Sequence, residues 1–116
     1  MDKASLNSLL RRAKRGNGGA KMITAQELLD LNELAAKHGL LVDGVEPYRV
    51  EEKFDIPHVE LTITATPFHE MYAALDWQER IAAMKDILTD LLFQTIKIGG
   101  EFRFTAWVSE EADWIP

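Results

Sequence analysis

At Gly39 the hydrophobic period of this chain changes, and that switch restricts the fold more than any other feature. Before it, apolar residues recur every three or four positions, as an amphipathic helix requires. From 40 to 65 the period shifts towards two, the spacing of one face of a β-strand. A chain of 116 residues that carries both periods and no cysteine must bury the two kinds of apolar face against each other. The expectation is therefore an α+β domain. The missing cysteines also exclude a disulfide scaffold, a thiolate metal site and thiol catalysis.

The first helical stretch is 5–15, where Leu6, Leu9, Leu10 and Ala13 fall within about 100° of arc and bases occupy the other sides. Gly16-Asn17-Gly18-Gly19 ends it and makes a joint. So short a helix is marginal alone in water, so its leucine stripe must dock on the body, a second copy or a partner. The second helix, 25–38, opens with the reciprocal pair Thr24 and Glu27 and closes with Lys37, His38 and Gly39.

Tyr48 and Val50 then alternate with Arg49 and Glu51, and Val59, Leu61, Ile63 and Ala65 alternate with Glu60, Thr62 and Thr64. With a turn at 53–57, these two runs predict an antiparallel hairpin. Pro67 suits the first position of a short helical stretch after Thr66. A longer helix begins at Asp76, with Glu79 in the capping position. It carries Trp77, Ile81, Met84, Leu88, Leu91 and Leu92 on one face and ends before Gly99-Gly100. A third strand, 101–108, alternates Phe102, Phe104, Ala106 and Val108 against Arg103, Thr105 and Trp107. In a rival arrangement 95–98 is a strand, joined to this one by a glycine hairpin. The order α-α-β-β-α-β predicts a two-layer fold, a three-stranded antiparallel sheet covered by helices with the last strand beside the first. Val59, Leu61, Ile63, Phe102 and Phe104 would be buried under the long helix and helix 25–38.

The formal net charge of −6 is unevenly placed. Residues 1–21 hold six bases against Asp2 alone, a balance of +5; the rest hold seven bases and eighteen acids, a balance of −11. This divides the chain into a basic helical arm with its glycine joint, 1–19, and a single acidic α+β domain, 20–116. No apolar run approaches the roughly 18 residues of a membrane span, and no apolar stretch of a secretory leader follows the basic opening. A cytoplasmic protein is the expectation.

Catalytic patterns are sparse. His38, His58 and His69 are the only histidines. His69-Glu70 lacks the second histidine of a zinc-protease helix, and His58 with Glu60 lacks a third ligand. The glycines of 16–19 lack the spacing of a phosphate loop. No catalytic residue, metal or cofactor is assigned, and the chain is expected not to be an enzyme. A small metal-assisted hydrolase using His58, His69 and nearby carboxylates is the least favoured alternative.

The long helix carries a more informative pattern. Glu79, Asp86 and Asp90 lie within about 40° of one another opposite its apolar stripe, and Phe93 stands on the same side. An aromatic rimmed by carboxylates suits protein binding. In the bland alternative the carboxylates are a solvated face and Phe93 is covered by the arm or the last strand. The tail repeats the theme, with Glu110, Glu111 and Asp113 beside Trp114. Together these predict a small acidic binding module that occupies a basic surface of a partner protein, as an inhibitor, an immunity protein or a phage or bacterial regulator would. Glu79, Asp86, Asp90, Phe93 and Trp114 are its candidate contacts. The alternative is a nucleic-acid accessory protein that sets Arg11, Arg12, Lys14 and Arg15 on phosphates, opposed by the acidic body and by an arm without aromatics. Homodimerisation through the leucine stripe suits all three readings.

Overall fold

The computed structural model describes residues 2–14, 22–52, 55–64 and 75–114. Among the described residues, three helices and an antiparallel open sheet follow in the order α-α-β-β-α-β. The helices are α1 (Asp2–Ala13), α2 (Ala25–Lys37) and α3 (Trp77–Ile98); the strands are β1 (Leu41–Val50), β2 (Asp55–Pro57), β3 (Ile63–Thr64) and β4 (Phe102–Ser109).

Helix α1 docks on its own body. Leu6 and Ala13 are wholly buried, Leu9 and Leu10 pack partly against the same core, and the helix lies on α2 and β4. The leucine stripe, unstable in isolation, is satisfied within the chain. Arg12 adds an ion pair to Glu27 at the start of α2, its Nη2 donating to Oε1 at 3.0 Å. Glu27 also completes the capping box, its amide donating to Thr24 Oγ1 at 3.1 Å and its carboxylate accepting from the Thr24 amide at 3.0 Å. Partial burial works to raise the Glu27 pKa, but the Thr24 amide and the Arg12 guanidinium outweigh it and hold the carboxyl below its ordinary 4.5. A group lowered on folding stabilises above its unfolded pKa and loses that contribution as pH falls through the folded value. Acid should therefore loosen the α1–α2 junction below about pH 4.5. In thermal melts from pH 7 to pH 3, Arg12→Gln should flatten the lowest-pH part of the decline; an unchanged profile would remove this pair from the account.

Strand β1 is the centre of the sheet. Along one side it pairs with β4 from Leu41↔Ser109 to Arg49↔Phe102, with an irregularity between Val42 and Gly44. Along the other it pairs first with β2 and then with β3, so these short strands share one position in a three-stranded arrangement. The expected continuous strand from Val59 does not form. Val59–Leu61 is a 3-10 turn, and Val59 is 72% exposed rather than buried. Pro47 explains the break. On this side of β1 its carbonyl accepts from the His58 amide at 3.0 Å, but its nitrogen has no hydrogen to donate. The partner strand loses a ladder bond there and leaves the sheet until Ile63. The hairpin is also tighter than the sequence suggests, since Asp55–Pro57, expected within the turn, pairs with Tyr48–Val50.

Asp76 and Glu79 form the second reciprocal cap, and α3 runs unbroken through 95–98, so the rival strand is absent. Thr95 is buried within the helix and donates Oγ1–H to the Leu92 carbonyl at 2.7 Å. Gly99 and Gly100 then take φ of 84° and 93°, a left-handed turn that ends the helix. Trp77, Ile81, Met84, Leu88 and Leu91 are buried as their spacing requires, and Trp77 Nε1 donates to the Gly39 carbonyl at 2.8 Å, tying α3 to the end of α2. Phe102 and Phe104 are buried; Leu61 and Ile63 are only partly so. The short helical stretch expected after Thr66, with His69, lies outside the described residues, as does the glycine joint 16–19. Among the described residues no helix is long and apolar enough to cross a membrane.

Candidate functional site

The acidic side of α3 borders a groove of about 490 Å³. Its helical wall is Asp86, Ile87, Asp90, Leu91 and Gln94; its opposite wall is the segment Glu60, Leu61, Thr62 and Ile63. The groove exists because of the Pro47 break. A continuous strand would carry 59–62 along β1, whereas the 3-10 turn brings Glu60 and Leu61 to face the helix. Leu61, Ile63, Ile87 and Leu91 supply apolar surface, and Asp86, Asp90 and Glu60 set three carboxylates around it.

Electrostatically the rim is negative. Asp86 and Asp90 are exposed, and among the described residues neither has an ion-pair partner. Glu60 is held below its ordinary pKa of 4.5 by its own backbone amide and by His58, whose Nδ1–H donates to Oε1 at 2.8 Å. The His58 ring meets Phe102 edge-on at 5.2 Å between centroids, and its Nε2 is buried with no hydrogen-bond partner among the described residues. An Nδ1–H tautomer fits both observations, since it leaves an acceptor rather than a donor unpaired. Among the described residues no three histidine, aspartate or glutamate side chains stand close enough to hold a metal ion.

The structure brings together part of the expected set. Asp86 and Asp90 share the groove. Glu79 is exposed on the same helix but lies outside the groove, its carboxylate accepting from the Asp76 amide at 3.1 Å as part of the cap. Phe93 is 57% exposed, covered by neither arm nor last strand, and Lys97 Nζ stands 5.2 Å from its ring centre. That side of the helix therefore carries a base, Lys97, beside its acids. Trp114 ends the 3-10 turn Glu111–Trp114, and its side chain lies outside the described set. Glu60, Leu61, Ile63 and Ile87 are not among the contacts expected from the sequence, which places Leu61 and Ile63 in the core and Glu60 beside His58. Ile87 carries a readable signal, an aliphatic about 100° from Asp86 at the border of core and solvent; the other three owe their position to the broken strand.

The basic candidates separate. Arg12 is committed to Glu27, and Arg15 lies outside the described residues. Arg11 and Lys14 border a second groove of about 400 Å³ between α1 and β4, which includes Trp107. None of the protein-family models, curated proteins or solved structures compared with the chain matches it, so its function has to be argued from the chemistry of these surfaces.

Proposed function

We propose that this protein is a small binding module that engages a basic, amphipathic segment of a partner protein, in the manner of an inhibitor or immunity protein. The observation that carries this reading is the combination in one groove of an apolar surface with three carboxylates around it. An apolar groove alone recognises hydrophobic shape, and acids alone steer without docking; together they select a helix with aliphatic anchors flanked by Lys or Arg. The stretch of α3 from 86 to 94 spans about 12 Å, which matches roughly two turns of a partner helix.

The test uses a labelled helical peptide with leucines at i, i+3, i+4 and i+7 flanked by lysines, against a scrambled peptide of equal charge. Binding should favour the patterned peptide and weaken with salt. Asp86→Lys with Asp90→Lys should reduce it about tenfold or more at low ionic strength, because paired charges steer encounter, while the melting temperature stays within a few degrees. Equal capture by the folded double variant would overturn the assignment.

A further inference from the structure

The groove between α1 and β4 has the opposite character. Arg11, in the last turn of α1, and Lys14, just past its end, line one side of it, and among the described residues neither is held by an ion pair. Facing them is Trp107, 41% exposed. This indole is not a loose surface group. It is seated on Gly44, its partner across the sheet, so closely that a β-carbon at position 44 would lie inside the ring. One face is thereby braced against backbone, and the rest borders the groove.

We infer that this groove binds a nucleotide unit, with a planar base stacked on Trp107 and a phosphate held by Arg11 and Lys14. The volume of about 400 Å³ is in the range of small-ligand clefts. A braced indole is a stacking platform for any base, and an Arg and a Lys lining the same groove can hold a phosphate between them. An acidic peptide fits less well. It would gain most by pairing with the edge of β4, but Ala106 is only 2% exposed and offers no edge. A long polyanion is also disfavoured, because Arg12 is neutralised by Glu27 and the remainder of the chain is strongly acidic. The site is one or two phosphates long.

Binding would be read from tryptophan emission and equilibrium dialysis with AMP, inorganic phosphate, and oligo-dT of four and twelve nucleotides. AMP should bind more tightly than phosphate. If two phosphates are engaged on a single strand, affinity for the oligonucleotides should fall about sevenfold between 50 and 200 mM salt. Equal affinity for AMP and both oligonucleotides assigns the site to free nucleotides, and tighter binding of both oligonucleotides assigns it to single strands; either supports the proposal. Trp107→Leu should weaken binding on the order of 5- to 100-fold, and Arg11→Gln with Lys14→Gln at least tenfold. Gly44→Ala keeps every groove side chain but dislodges the indole, and should also weaken binding; Trp107→Phe, a smaller ring, covers the case in which Trp107→Leu does not fold. Asp86→Lys with Asp90→Lys should leave AMP binding unchanged, which separates this site from the acidic groove. The proposal is overturned if neither AMP nor oligonucleotide binds at millimolar concentration, if the folded groove variants bind like the parent, or if a poly-glutamate peptide displaces AMP at equal concentration.

Discussion

Replacing Phe104 with alanine should lower the unfolding free energy by about 3–5 kcal/mol and the melting temperature by roughly 10–20 °C. Its ring is wholly buried, so truncation removes transfer energy and leaves a cavity in the middle of β4. The backbone around it cannot easily move to fill that cavity. Phe104 sits opposite Pro47 on β1, and on its other edge its amide and carbonyl exchange bonds of 2.8 and 2.9 Å with Ile23. The residue therefore joins the sheet to the segment that leads into α2. Urea unfolding followed by far-ultraviolet circular dichroism would measure the loss. Phe93→Ala is the matched control: its ring is largely exposed, and the change should stay within about 0.5 kcal/mol. Similar costs for the two phenylalanines would contradict the placement of the core.

Leu6→Ala should cost about 2–5 kcal/mol, although it is the sixth residue of a segment that resembles a detachable arm. Leu6 is 0% exposed and belongs to the cluster that contains Leu28, Leu88 and Phe104. Its truncation should shift the single unfolding transition of the whole domain, with the denaturant slope unchanged. A separate early transition, or a loss below about 1 kcal/mol, would mean that α1 is held only loosely. The neighbouring exposed Asn7 offers the comparison, since Asn7→Ala should be close to neutral.

Docking of α1 changes what its charge is for. Arg12 is spent on Glu27, which leaves Arg11 and Lys14 at the groove with Trp107. The arm has no aromatic of its own, and the tertiary structure supplies one from β4. Trp107 was visible in the sequence as an aromatic on the polar side of an alternating strand, but nothing local says that Gly44 would brace it.

Both capping boxes were legible because they are local: Thr24 with Glu27 and Asp76 with Glu79 satisfy backbone donors within three residues, whatever the rest of the chain does. The same holds for the apolar faces of α1 and α3, where periodicity alone selects the buried side; in β4 it places Phe102, Phe104 and Ala106 inside, but Thr105 on the opposite side is buried as well. Strand β1 was only half legible. Its sequence contains Gly44 and Pro47, residues that ordinarily mark turns, yet it runs for ten residues because Gly44 accommodates Trp107 and Pro47 turns its missing donor toward the broken edge.

The sequence by itself determined the three helices, the order α-α-β-β-α-β and the uneven charge, since helix periodicity, capping and composition act over a few residues or over none. Only the tertiary structure decided where 59–61 goes, which acids share a groove, and which bases remain available. Those outcomes depend on long-range partners: a hydrogen bond that Pro47 cannot give across the sheet, and a glutamate fifteen residues from Arg12 that neutralises it. A strand's period states which of its faces is apolar, but not whether the neighbouring backbone has a donor to hold it there.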